Sequence, residues 1–485
     1  MQIKESLARI VGVDDISAEP DKVKSYAKDN SLTKSIAPNY VAQPENAEEI
    51  QEIVKLANKN KIPVVPCSSG VHFYGNTIPK QGGILLDLQK MNKILRIDER
   101  NRTAMIEPGV TWVQLQKELE KHSLMALNPL LPHPLKSALT SHLEREPMLI
   151  PKYEYADALL TTEVILPNGE FFRTGSACVP GFPDKSVSDG VHPEGPGADW
   201  WRLFQGAQGT MGILTWANVK IEYKPKKNKI FLIPFERIED ASELIYKVQH
   251  RMIGQECLLL NNTNLAAILA EKWPEDYENM KRMLPPWVVI LVLAGGPRRP
   301  EEKIEYEEEA LKVIAAELFI SELPTLLAGI PGVVSGLPEL LRRAWPKEKT
   351  YWKFGYKGGC QDLFFITVMS KTKEFTKAIS NIAAKHGYPQ GDIGYYVQPL
   401  ERARACHYEC NFYYNPNESE DVAKIANLFH ETAKTLFKMG AFFSRPYGEI
   451  ADMVYERAGN YTMVLKKIKA WLDPNDVMSP SRLGF

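Results

Sequence analysis

Two short stretches of this chain concentrate small residues beside apolar runs. The first, residues 67–76 (CSSGVHFYGN), follows the run IPVVP. Ser68, Ser69, Gly70 and Gly75 leave backbone N–H groups bare and let an anion approach closely, which suits a phosphate or pyrophosphate. Gly70 and Gly75 have the separation of a nucleotide-binding P-loop. Asn76-Thr77, however, stands where a lysine and a hydroxyl residue would hold phosphate and magnesium, so that reading fails. The glycine fingerprint of a dinucleotide-binding βαβ unit is missing as well. Taken alone, the loop is equally a plain turn. The second stretch, GAQGTMGILT, carries Gly206, Gly209, Thr210 and Gly212 into an apolar strand beginning near Ile213. Alone it reads as an anion cradle or as a tight turn with a bulge.

A third stretch, ACHYEC at 405–410, has the alternation of a strand. His407 and Glu409 then share one face, and Cys406, Tyr408 and Cys410 share the other. His407 and Glu409 are spaced as two metal ligands, but a metal needs a further ligand and none stands out. A packed or hydrogen-bonded strand histidine is the plainer reading. Cys406 and Cys410 read as small apolar core residues. The chain has 6 cysteines, scattered and without CxxC spacing, so neither a disulfide framework nor a closed zinc or iron–sulfur site is expected.

The elements that must position these stretches follow from periodicity. Residues 45–60 (ENAEEIQEIVKLANKN) place Ile50, Ile53, Val54 and Ala57 on one helical face, with acids first and Lys and Asn last. Short strands are expected at 62–66, 83–88, 94–98 and 103–107, then a helix at 112–122. Residues 162–166 and 170–173 form a hairpin about Pro167-Asn168-Gly169. A strand at 211–223 closes this region. The segment 224–229 (KPKKNK) reads as a solvated linker. Beyond it, strands at 231–234, 287–293, 363–370 and 405–414 alternate with helices at 238–251, 301–316, 373–386 and 421–439. That alternation predicts a second α+β domain.

Composition bounds the function. With 485 residues the chain is long enough for two large domains, or up to about four at roughly 100–200 residues each. Lys plus Arg is 59 and Asp plus Glu is 60, so there is no footprint for nucleic acid and no long-range attraction to anionic membranes. No signal peptide is expected at the N-terminus. The segment 323–341 carries Pro324, Pro331 and Pro338, which argues against a spanning helix. It reads as a buried irregular loop or a docking surface. The expectation is a cytoplasmic protein without a membrane span.

The order of motifs carries a resemblance. IPVVP, the small-residue loop, GGILLDLQKMNKIL, AMIEPGVTW, LPNGEFFRTG, GAQGTMGILT and the terminal DPNDVMSPSRLGF resemble, in sequence order, the vanillyl-alcohol oxidase superfamily of FAD enzymes (PCMH type). The nearest likeness is to the vanillyl-alcohol oxidase, eugenol oxidase and 4-cresol dehydrogenase group. Phe73-Tyr74-Gly75 resembles the Gly-Tyr-Gly end of that group's phosphate loop. Residues 137–151 resemble its Ser…Glu-Arg-Gly…Pro stretch, with Glu146 in place of the glycine. Phe443-Ser444-Arg445-Pro446-Tyr447 stands where the group has Tyr-Arg-Thr-His, with Ser444 replacing a tyrosine.

The resemblance implies an α+β fold: a two-part FAD-binding domain with an inserted α+β cap built on a ferredoxin-like antiparallel sheet. The divisions would be 1–223 for the FAD domain, 224–440 for the cap and 441–485 for the segment that completes the FAD domain. It implies FAD as cofactor, held by Ser68, Ser69, Gly70, Val71, His72 and Gly75, by Pro108, Ser137 and Ser141, and by Gly206, Gly209, Thr210, Gly212 and Ile213. A covalent flavin link, where the family has one, falls on His407, Tyr408 or His72. Arg445 and Tyr74 correspond to a phenolate clamp: a guanidinium and a hydroxyl donor stabilise the anion of a phenol whose pKa is near ~10. The bland alternative for Arg445 is a salt bridge. Glu154 aligns with an aspartate beside the reactive flavin nitrogen, and Asp157 replaces it if the alignment slips; either would be acid or base. The implied reaction moves a hydride from a small alcohol or a para-substituted phenol to the flavin. The rivals are a 2-hydroxy acid dehydrogenase with Arg445 on the carboxylate, a non-redox transferase like alkyl-dihydroxyacetone-phosphate synthase, and the flavin subunit of an electron-transfer complex. Without cluster-binding cysteines, electrons not given to dioxygen must go to a separate protein or small carrier. A homo-oligomer is also an expectation.

Overall fold

Alternating apolar runs separated by turns build three sheets. The computed structural model describes residues 2–150, 158–179, 190–327 and 336–484. The first sheet contains β1 (Ile16–Ser17), β2 (Tyr40–Ala42), β3 (Val64–Cys67) and β4 (Ile84–Asp87), in the order β1-β2-β4-β3. β2, β4 and β3 run parallel. The helix Ala47–Asn60 crosses between β2 and β3 and buries Ile50, Ile53, Val54 and Ala57. Its start is fixed by Asn46, whose Oδ1 accepts from the Glu49 amide at 2.9 Å, a cap contributing about 1 kcal/mol. Near the C-terminus, Val64 pairs with Met478: its amide donates to the Val477 carbonyl at 2.7 Å, and Ser479 donates back at 2.9 Å.

The second sheet holds β5 (Ile94–Asp98), β6 (Thr103–Ile106), β7 (Leu124–Ala126), β8 (Leu159–Ile165), β9 (Phe171–Arg173) and β10 (Ile213–Tyr223). Its order is β5-β6-β10-β8-β9, with β7 on the far end of β10. β8 and β9 form the expected hairpin. β3 therefore ends at the first small-residue loop, and the second runs directly into β10.

The third sheet is antiparallel throughout. It contains β11 (Lys227–Phe235), β12 (Glu256–Asn261), β13 (Trp287–Gly295), β14 (Gly359–Thr367), β15 (Ile393–Leu400) and β16 (Ala405–Tyr414), in the order β11-β13-β12-β15-β16-β14. β11–helix–β12–β13 and β14–helix–β15–β16 thus form two halves that meet between β12 and β15. The order within one half mirrors the other, a relation invisible as a sequence repeat. Helices Ile238–His250, Pro300–Glu317, Thr372–Lys385 and Ser419–Lys438 cover one face through Leu244, Leu311, Ile379 and Leu428. Burying each such side chain contributes about 1.5–3 kcal/mol.

The mixed α+β architecture expected from the sequence is the one observed. The solvated linker is a correction: β11 begins at Lys227, inside the charged run. Lys227 and Lys229 keep their charge on an edge strand by pairing with Glu301 and Glu308 of the adjacent helix. Sequence reading also missed β12 and β15. Among the described residues, no helix is long and apolar enough to cross a membrane.

Candidate functional site

The loop after β3 turns back on itself. Gly75 has φ +73°, and a Cβ there would stand 2.0 Å from Thr33 Oγ1, so only glycine fits. Its amide donates to Asp29 Oδ2 at 2.7 Å, and its carbonyl accepts from Arg482 Nη1 at 3.1 Å. The second loop is held from below by Lys469, whose Nζ donates to the Thr210 carbonyl at 3.0 Å and the Met478 carbonyl at 2.9 Å. Gly209 has φ +76°, and a Cβ on it would strike Pro66 at 2.7 Å.

Between the two loops lies a cavity of about 780 Å³. Of the residues expected to hold the cofactor, Ser68, His72, Pro108, Gly206, Gly209, Gly212 and Ile213 line it. Asn76, Thr140, Glu144 and Tyr447 line it as well and were missed. His72 and Asn76 test whether a polar cofactor fits. His72 Nε2 lies 2.7 Å from the Ser69 carbonyl, which leaves Nδ1 buried without a partner; Asn76 Oδ1 is likewise buried and bare. Such groups are costly unless a ligand satisfies them. Burial pushes the His72 pKa down to about 4, so the ring is neutral.

The other expected cofactor residues shape this cavity without lining it. Ser137 caps the helix Ala138–Leu143, accepting from the Thr140 amide at 3.1 Å and donating to the Pro108 carbonyl at 2.6 Å. Ser141 accepts from Trp112 Nε1 at 3.0 Å. The Thr210 hydroxyl donates to the Ala207 carbonyl at 2.7 Å. The Ser69 hydroxyl donates to the Val71 carbonyl at 3.2 Å, and Gly70 is exposed.

A second cavity, of about 540 Å³, lies between this region and the face of the third sheet opposite the four covering helices. Phe73, Tyr74, Tyr351, Trp352 and Tyr396 give it aromatic walls. Two lysines beside it, Lys136 buried and Lys353 half-buried, each hold a pair of carboxylates. Lys136 Nζ reaches Glu144 Oε2 at 2.6 Å and Glu146 Oε1 at 2.7 Å. Lys353 Nζ reaches Asp362 Oδ2 at 2.6 Å and Glu409 Oε1 at 2.7 Å. Despite its burial, Glu409 is held far below the usual carboxylate range by Lys353 and His407, whereas burial pushes Asp362 up. Tyr74 donates to Glu146 at 3.2 Å, and burial raises its pKa well above that of a free phenol.

Arg445 lines this cavity and also an outer cleft of about 1160 Å³. It is 6% exposed, its Cζ lies 3.9 Å from the Phe364 ring centroid, and its Nη1 has no partner. Arg445 and Tyr74 are thus brought together. Glu154 and Asp157 lie outside the described residues, as does the centre of the segment 323–341.

The strand β16 sorts its side chains by parity. His407 and Glu409 lie on the site face, with Nε2 and Oε2 3.2 Å apart; burial keeps His407 neutral. Tyr408 faces the other way. It stacks on Phe365 at 5.1 Å, and its hydroxyl bonds Thr376 at 2.7 Å among the covering helices. As a flavin attachment point Tyr408 is therefore corrected: its pleat position points it away from both cavities. His407 lines neither cavity. Of the three candidates, His72 is the one at the cofactor cavity. Cys406 and Cys410 are core residues beside Tyr408.

A family model described as an FAD binding domain matches residues 38–175. The chain is 26% identical to the glycolate oxidase subunit GlcD of Bacillus subtilis, covering 99% of this chain and 96% of that one. It is 23% identical to the 4-cresol dehydrogenase [hydroxylating] flavoprotein subunit of Pseudomonas putida, covering 98% and 94%. The crystal structure of p-cresol methylhydroxylase with substrate bound superposes with a TM-score of 0.84 over 100% of this chain and 96% of that chain, at 21% identity, a likeness of fold.

Proposed function

From the premise that this chain belongs to the PCMH-type, or vanillyl-alcohol oxidase, superfamily of FAD-dependent oxidoreductases, we propose that it oxidises a small alcohol or para-substituted phenol held against Arg445. One observation carries the reading: a buried guanidinium nitrogen without a partner, at the edge of an aromatic-walled cavity. An anionic oxygen satisfies that nitrogen, and a flat ring fits the walls. FAD, when bound, accepts the hydride. Ser68, His72, Asn76 and the loop from Gly206 to Gly212 hold it in the larger cavity. Arg445 stabilises the substrate's anionic oxygen, whose electron density flows to the para ring carbon and so favours loss of hydride from the benzylic carbon attached there. Tyr74 gives its hydroxyl to Glu146, so Arg445 is the principal clamp. Glu154, with Asp157 as its alternate, neutralises the developing product. Residues 1–223 and 441–485 form the FAD unit, and 224–440 form the cap.

A 2-hydroxy acid is the second reading. The near full-length similarity to a glycolate oxidase subunit favours it, and Arg445 would take the carboxylate through a bidentate bond. Both curated relatives are named as subunits, which supports a separate protein as electron acceptor. The test is single-turnover reduction of the holoprotein without oxygen by p-cresol and vanillyl alcohol, against lactate and glycolate. Reduction by the first pair supports the phenol reading. Reduction only by the second overturns it in favour of the acid.

A further inference from the structure

The two cavities are joined by one unbroken chain of polar contacts. It starts at Glu146, which lines the aromatic-walled cavity, and ends at Glu144, which lines the cofactor cavity. Lys136 stands between them, 2.7 Å from Glu146 Oε1 and 2.6 Å from Glu144 Oε2, with its side chain 3% exposed. Each end is anchored. The Tyr74 hydroxyl donates to Glu146 Oε1 at 3.2 Å, and Asn76 Nδ2 donates to Glu144 Oε1 at 2.9 Å. A salt bridge built only for stability needs one carboxylate. Here a buried lysine carries two, one on the wall of each cavity. Glu146 also departs from the glycine of the resembling group.

We infer that Glu146, Lys136 and Glu144 form a proton path from the substrate cavity to the cofactor cavity. The inference rests on the reading that the reducing substrate enters the aromatic-walled cavity. Oxidation of an alcohol or phenol breaks a C–H bond, whose electron pair goes to FAD. It also breaks an O–H bond, whose proton goes to the Glu146 carboxylate. Lys136 passes one proton to Glu144 and regains one from Glu146, so it ends as an ammonium. The substrate has lost two electrons as hydride together with one proton, and Glu144 ends as a neutral carboxyl. Lys136 is the positioning residue, and the two glutamates carry the proton.

The titratable and charged groups facing the path are His133 and His142 from its own segment, His72 and Tyr74 from the loop after β3, Tyr351 and Tyr396 from the third-sheet region, and Arg445 and Tyr447 from the C-terminal segment. The tyrosines are pushed up by burial, the three histidines are pushed down to about 4, and Arg445 keeps its charge. None of them changes charge near neutral pH. Burial pushes Glu144 up, while Lys136 and Arg445 keep Glu146 low, which orders the two ends of the path.

The test is a potentiometric titration of the holoprotein with a chemical reductant between about pH 6 and 8, for the natural chain and for Glu144→Gln. Two electrons arriving in the cofactor cavity raise the proton affinity of a carboxylate on its wall. The natural chain therefore takes up about one proton more per electron pair than Glu144→Gln. Equal pH slopes overturn the proposal. A second readout needs no variant: the reduced-minus-oxidised infrared spectrum of the natural holoprotein gains a protonated-carboxyl band, and a spectrum without that band overturns the path. Neither measurement uses a substrate. A flavin that no phenol or alcohol reduces would defeat the proposed function and leave these two results to decide the path.

Discussion

The ring of Tyr74 lies stacked on that of Tyr447, with centroids 4.6 Å apart and planes 14° from parallel. The pair links the phosphate loop to the C-terminal segment across the outer cleft. Tyr447 also lines the cofactor cavity, and Tyr74 also lines the aromatic-walled one, so the two rings form part of the partition between them. Such a stack contributes about 0.5–1.5 kcal/mol beyond its buried area. It fixes Tyr74 where its hydroxyl meets Glu146, beside the unpartnered Nη1 of Arg445.

Arg445→Met is expected to retain flavin and to lower kcat/KM for the reducing substrate by about 10²–10³-fold, since truncating a buried charge partner costs about 2–5 kcal/mol. Stopped-flow flavin reduction checks this. A change smaller than threefold would assign Arg445 to structure alone.

Gly75→Ala is expected to misplace the phosphate loop. The added Cβ needs space that Thr33 occupies, in a left-handed conformation that disfavours any side chain. The measured quantity is bound FAD per chain after purification, which should fall severalfold. Double substitution with Thr33→Gly should restore part of it by removing the clash.

Tyr408→Phe is expected to leave flavin content and its mode of attachment unchanged. Its cost is the hydroxyl contact to Thr376, about 1 kcal/mol of stability. Flavin content is read from the visible spectrum, and attachment from whether acid precipitation releases the colour. Loss of either would place Tyr408 at the cofactor.

Much of this was legible in the sequence. The helix Ala47–Asn60 announces itself through its apolar stripe and its Asn46 cap, and the small-residue loops through composition. Arg445 and Tyr74 were found through the motifs that carry them. The parity of β16 separated His407 from Tyr408 but could not say which faced the site. That depends on which side of the sheet the four helices cover. Lys136, Lys353 and Asp362 were not legible, because a lysine in a loop, eight to ten residues from a carboxylate, has no periodicity that tells it from a surface lysine. Lys353 meets Glu409 across 56 residues of sequence, through the third sheet. Glu146 was visible only as a departure from a glycine, a sign that something had been added there.

Stability should fall with acid in a defined window. His72 and His142 are buried neutral, with pKa values pushed down to about 4. The unfolded chain takes up a proton on each near pH ~6.5, and the folded chain does so only near the lowered value. Between those limits the unfolded state binds more protons, so stability rises with pH and is lost as pH falls, by about 3 kcal/mol per histidine at most. Urea midpoints at about pH 7 and pH 4.5 measure it. A flat profile would contradict the burial of both rings.

Lys353→Met would leave Asp362 and Glu409 buried without their cation, at a cost of about 3–5 kcal/mol. Because Lys353 holds Glu409 low, the stability this pair brings is present above the ordinary carboxylate pKa and is lost as pH falls. The variant should therefore lose most at neutral pH and least in acid. A deficit that grows toward acid would contradict the assigned pairing.

The role of Arg445 on a bound flavin is tested most directly by the visible spectrum of the purified holoprotein as p-cresol, vanillyl alcohol, lactate and glycolate are added in turn without oxygen. The expected result is oxidised-flavin bands that p-cresol or vanillyl alcohol bleaches, and that stay unbleached at the same concentrations in Arg445→Met. Bands bleached equally in both proteins, or no flavin bands even after FAD is added, would contradict that role.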